Sequence, residues 1–132
     1  MLIASTIGGV LAFVGYLAVS LVMLAAFTRI YMLFTPYDEV TEIGAGHLAP
    51  AIALSGAMLG FTLPLLVASY TQAGFIDFAA WSVLSGIVQL GVFWLLHRLL
   101  PHVIETNNNA GALCFATASV CAGLINAASF MP

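Results

Sequence analysis

Four stretches of this chain carry no charged side chain: Ile3–Thr28, Leu48–Ile76, Phe78–Leu96 and Thr106–Pro132. Each is near or above the ~20 residues a helix needs to cross the hydrocarbon core of a bilayer. In lipid every backbone N–H and C=O must find a partner inside the protein, and a helix meets that demand within a single segment. The pattern predicts an all-α membrane protein with four transmembrane helices.

Composition leaves little else to build. Of 132 residues, 63% are hydrophobic and 5% charged, against about 25% charged in a soluble domain. A water-facing surface cannot be assembled from such a set, so a single four-helix transmembrane domain over residues 1–132 is expected. Two arginines against five acids give a net charge of −3. That excludes nucleic acid as a partner, because phosphate binding needs clustered Lys and Arg. It also argues against an electrostatic hold on anionic head groups, so membrane lipids are expected to meet the protein by apolar contact. Met1-Leu2-Ile3-Ala4-Ser5 lacks a basic region and the apolar run behind it is too long for a signal peptide, so that run is read as a retained first helix.

Breakers and caps divide the chain. Helix one runs from Leu2 to about Phe34, longer than the bilayer core, with Arg29, Tyr31 and Tyr37 marking its emergence. Thr35-Pro36-Tyr37-Asp38 resembles a fresh helix start, with Thr35 as cap and Pro36 first in the helix. A short interfacial helix over Pro36–Ile43 would then carry Asp38, Glu39 and Glu42 before Gly44-Ala45-Gly46. Helix two spans about His47–Tyr70 with a kink at Pro64. A turn over Thr71–Asp77 follows, with Asp77 capping helix three, which ends near Leu100. Asn107-Asn108-Asn109 caps helix four, which continues to Pro132. Both arginines fall at one end of the bundle, so the positive-inside rule places the 1–2 and 3–4 connections in the cytoplasm and both termini in the periplasm.

Shifting the chain by 63 residues lays Glu105 on Glu42, Ala112 on Ala49, Ala116 on Ala53 and Gly123 on Gly60. The small residues keep one helical stripe at about 100° per residue, which Gly56 and Ser119 share. Two ladders result, Ala49, Ala53, Gly56, Gly60 and Ala112, Ala116, Ser119, Gly123. Small residues let helix backbones approach, the main source of helix association in lipid. The order of elements reads as two parallel helix–loop–helix repeats, about 1–70 and 77–132, and the ladders as packing faces through which copies self-associate.

Thr35-Pro36-Tyr37-Asp38-Glu39, the run Ala51–Phe61 and Gly123-Leu124-Ile125-Asn126-Ala127-Ala128 resemble the signature stretches of the YjfL-type bacterial inner-membrane proteins, domain of unknown function 350. The chain departs from that pattern at His47. The resemblance covers most of the chain and implies four helices, two repeats and a multi-pass location in the bacterial inner membrane. It brings no assigned activity, only an association with envelope maintenance.

Few residues could carry chemistry. Gln89 and Asn126 are the polar side chains deep within spans, read as interhelical hydrogen-bonding groups or as the lining of a path. His47, His97 and His102 share the cytoplasmic side with Asp38, Glu39, Glu42 and Glu105, but their spacing fits no metal motif. Hydration, or pairing with Arg29 and Arg98, accounts for them, and the four acids are expected to form a cytoplasmic acidic surface. Cys114 and Cys121 lie seven apart on one helical face, ~10 Å along the axis. That is too far for a disulfide, and they read as packing residues. No catalytic residue, cofactor or metal site is expected. The reading that follows is a non-enzymatic, self-associating membrane protein that offers its acidic side to a cytoplasmic or membrane protein partner. The alternative is a homo-oligomeric channel or transporter for ions or small solutes, lined by Pro64, Gln89 and Asn126.

Overall fold

The uncharged runs become helices, and the breakers between them set where each one stops. In a computed structural model, residues 1–71 and 74–130 are described and contain five helices and no strand. These are α1 (Leu2–Phe34), α2 (Glu39–Gly44), α3 (Leu48–Thr71), α4 (Phe75–Leu99) and α5 (Asn109–Ala128). Among the described residues α1, α3, α4 and α5 are long and apolar enough to cross a membrane, and this is an all-α membrane protein. Gln72 and Ala73 of the expected turn, and the end of helix four at Met131 and Pro132, lie outside the described residues.

The punctuation differs from expectation in three places, each for a local reason. Thr35 does not start the short helix. It ends α1 in an extended conformation (φ −79°, ψ 143°), as a residue before proline must when the pyrrolidine ring crowds the helical region. Asp38 takes the capping role instead, its side chain accepting from the Thr41 amide at 3.4 Å and the Thr41 hydroxyl at 2.8 Å. The short helix therefore begins at Glu39 and not at Pro36. Asp77 is not a cap either: Gly74 stands at the N-cap of α4 with Asp77 inside the first turn, where a carboxylate still favours the positive helix end. Gly46 at φ +88° makes the α2–α3 turn, a left-handed conformation that glycine alone adopts freely.

At the α4–α5 connection Asn108 caps α5 by accepting from the Gly111 amide at 3.1 Å. Its neighbour Asn107, at φ 53°, turns its side chain to a different helix and accepts from the Ala49 amide at 3.0 Å. One polar turn thus satisfies the first turns of both α3 and α5 and pins their ends together.

The core is a row of rings drawn from every long helix. Phe27 on α1 stacks on Phe61 of α3 with centroids 4.4 Å apart, and Gly86 of α4 leaves the space they fill. Tyr31 meets Phe93 of α4 edge-on at 4.9 Å, and Phe93 meets Phe115 of α5 at 5.9 Å. Only the second half of α1 joins this row. Residues 1–14 are exposed all round.

Candidate functional site

Where α3 crosses α5, the two small-residue ladders face each other. A Cβ added to Gly56 would sit 2.3 Å from the Ala116 Cα, and one on Gly60 would sit 2.3 Å from the Ser119 carbonyl oxygen. A Cβ on Gly123 would lie 2.1 Å from the Gly60 carbonyl oxygen. Pro64 explains the last contact, because it lacks the N–H that would occupy the Gly60 carbonyl four residues earlier. Ala49, Ala53, Ala112 and Ser119 are buried along the same seam. Within one chain the ladders thus pack on each other, backbone against backbone, at Gly56, Gly60 and Gly123.

Gln89 lies over the crossing from α4. It is 2% exposed, its amide donates to the Ser119 carbonyl at 3.0 Å, and its own carbonyl oxygen has no partner among the described residues. The bond is of the kind expected, fixing a third helix to the α3–α5 pair. Asn126 occupies a different place, lining an open groove with Trp81, Leu84, Val88, Ser129 and Phe130, its amide nitrogen buried without a partner. The two polar side chains do not line a common path through this chain.

The second polar site was not legible in the sequence. Glu39, expected on an acidic surface, is 2% exposed. The Thr35 hydroxyl donates to its carboxylate and also lies 3.0 Å from the Met32 carbonyl oxygen. The buried phenols of Tyr31 and Tyr37 lie close to each other and to this carboxylate. Burial raises the Glu39 carboxyl above its ordinary range and outweighs the Thr35 hydrogen bond, which pulls the other way. Burial likewise raises the Tyr37 phenol, against the pull of its hydrogen bond with the Tyr31 phenol and reinforced by the negative charges of Glu39 and Glu105. Glu39 stands first in α2, and its burial comes from groups outside that helix, which the local sequence does not mark.

Over residues 5–130 the sequence matches Domain of Unknown Function (DUF350). The chain belongs to this family. This DUF350 protein is 31% identical over 121 residues to the UPF0719 inner membrane protein YjfL of Escherichia coli strain K12, an alignment covering 89% of the chain and 92% of that relative. The protein of the same description in Escherichia coli O157:H7 matches to the same extent. No solved structure matches the chain.

The remaining polar groups of this DUF350 protein form an outer ring. Asp38 is fully exposed and held below the usual carboxylate range by its bonds from Thr41. Glu42 pairs with His47, and Glu105 lies 3.9 Å from His102. Among the described residues neither arginine pairs with these groups, one of the two expected alternatives: Arg98 lies over the Trp94 ring, 5.0 Å from its centroid, a favourable place for a guanidinium. Among the described residues no three His, Cys, Asp or Glu side chains converge as a metal site requires. Cys114 and Cys121 are free and exposed, on the apolar outside of the bundle and not in its packing.

Proposed function

We propose that this DUF350 protein is a non-enzymatic component of the bacterial inner membrane that associates with copies of itself through the first half of α1. Its termini would lie in the periplasm. Its α2 end would face the cytoplasm and a protein partner concerned with envelope maintenance, and the two helix–loop–helix halves would be parallel repeats.

One observation carries the assembly reading. Gly8 and Gly9 have nothing within 4 Å of where a Cβ would stand, whereas Gly56, Gly60 and Gly123 are all filled by a neighbouring backbone. Glycine costs a helix about 1 kcal/mol relative to alanine, and in lipid that cost is recovered where another helix comes close. Inside this chain α1 recovers it nowhere before Gly15, which receives the Phe75 ring. A second α1 crossing at Gly8 and Gly9 supplies the missing neighbour.

Native mass spectrometry from mild detergent tests this. Replacing both Gly8 and Gly9 with leucine should weaken self-association at least ~10-fold, about 1.4 kcal/mol, while leaving the bundle intact. A wild-type chain that is monomeric in lipid nanodiscs ends the reading.

A channel or transporter is the second reading, favoured by the two buried polar atoms without partners, the Gln89 carbonyl oxygen and the Asn126 amide nitrogen. In an assembly, the open groove at Asn126 would have to meet its counterpart on a neighbouring copy. Reconstituted vesicles should then leak ions or small solutes, and Asn126→Leu should abolish the leak. Tight wild-type vesicles dispose of it.

A further inference from the structure

We propose that Glu39 is a proton-bearing latch: neutral, its carboxyl holds α2 against the bundle, and ionised it releases α2 with the connection around it. This does not depend on the assembly reading.

Helix α2 has six residues, and Glu39 is the one among them that is buried. A helix so short has no stability of its own, because nucleation is not repaid over one or two turns. Whatever holds Glu39 therefore holds the element. The groups around its carboxyl are polar: the Thr35 hydroxyl on the carboxylate, with the buried phenols of Tyr31 and Tyr37 nearby.

Among the described residues no ion pair supports the buried carboxylate. Among the described residues neither arginine forms an ion pair, and the histidines that do are His47 with Glu42 and His102 with Glu105. From α1 Tyr31 faces the site and Arg29 shares a groove with Met32 and with Val40 of α2, and from the link to α2 come the Tyr37 phenol and the Asp38 carboxylate. From the α4–α5 connection comes Glu105, felt at Tyr37. On α4, His97 stacks on Phe93. The one titratable residue on α3 is Tyr70, at its far end. Of these groups Asp38 opposes the ionised carboxyl, and burial, with no ion pair to offset it, opposes it more strongly.

A proton also fits the hydrogen-bond inventory. Neutral Glu39 still accepts from Thr35 and brings an O–H of its own. Ionised Glu39 has only hydroxyl donors for a full charge held out of water, and hydrating it in this site requires α2 to leave. Because burial raises the folded value, the holding energy is complete below the ordinary 4.5 and is lost as pH rises through the raised one.

Hydrogen exchange of residues 35–47 in nanodiscs, followed across pH, reads the latch directly. Amide exchange chemistry alone accelerates about 10-fold per pH unit, and opening linked to one proton adds up to another ~10-fold within the window. The wild-type chain should show the steeper rise and Glu39→Gln only the chemical one. Thr35→Val removes a donor that favours the ionised form, so its steep region should move to higher pH. A wild-type slope of no more than ~10-fold overturns the latch, as does a Thr35→Val shift to lower pH. Should Glu39→Gln fail to protect these residues at any pH, infrared difference spectra of the wild type decide. A protonated-carboxyl stretch that vanishes over the same pH interval supports the proposal, and its absence at every pH refutes it.

Discussion

Gly60→Leu is expected to break the fold within each chain. The new side chain would enter where the Ser119 carbonyl oxygen stands 2.3 Å from the ideal Cβ and the Gln89 amide nitrogen 2.7 Å away. The first of these is backbone on a rigid helix, so it cannot step aside as a side-chain tip would. The α3–α5 seam must open, which also takes the Gly60 carbonyl away from Gly123 and removes the Gln89 bond to Ser119. Overpacking costs 1–3 kcal/mol in ordinary cores, and with backbone on both sides at least about 3 kcal/mol is expected here. Unfolding in increasing fractions of denaturing detergent, monitored by helical circular dichroism and by crosslinking of cysteines placed across α3 and α5, measures it. The contrast with Gly8 and Gly9 is diagnostic, because leucine there should change the oligomer and spare the seam.

Phe61→Ala is expected to cost about 3 kcal/mol, the low end of the range for large aromatic truncations. The low end applies because lipid, not water, is the medium from which the ring is withdrawn, so the loss is mainly dispersion and packing. Phe61 is 2% exposed, stacks on Phe27 and touches the space left by Gly86. It is the ring through which α1 reaches the α3–α5 pair. Its truncation should therefore loosen α1 first, seen as faster hydrogen exchange in residues 20–34 with little change around Gly123. Equal acceleration in α1 and α5 would show that the aromatic row does not divide the bundle in this way.

The spans were legible because their cause is local. An uncharged run of sufficient length has no alternative in lipid to a helix, whatever its neighbours do. Capping was less legible, since it turns on single φ and ψ values: Pro36 pushed Thr35 out of the helical region and passed the capping role to Asp38. Asn107 shows the limit of local reasoning. It stands in a turn that announces a cap, yet it caps α3, 58 residues earlier in the chain. No pattern around position 107 encodes that partner.

The candidate sites divide along the same line. Gln89 was visible as a polar residue inside an apolar span, and a buried amide in lipid must find a partner, so its bond to another helix followed from chemistry alone. Glu39 was visible only as one acid in a run of three. Its neighbours Asp38 and Glu42 remain at the surface, and nothing in Asp38-Glu39-Val40-Thr41-Glu42 distinguishes the middle acid from them. What separates it is its enclosure in the fold, beside the Thr35 hydroxyl and the phenols of Tyr31 and Tyr37.

By itself the sequence determined the number of spans, their rough ends, the stripes of small residues and the family, because solvent compatibility and helical periodicity act along the chain. Tertiary structure alone decided that the two stripes meet each other, that Asn107 serves a distant helix and that Glu39 is enclosed. Those outcomes depend on which helix faces which, a balance of packing among four similar apolar rods that no short stretch of residues contains.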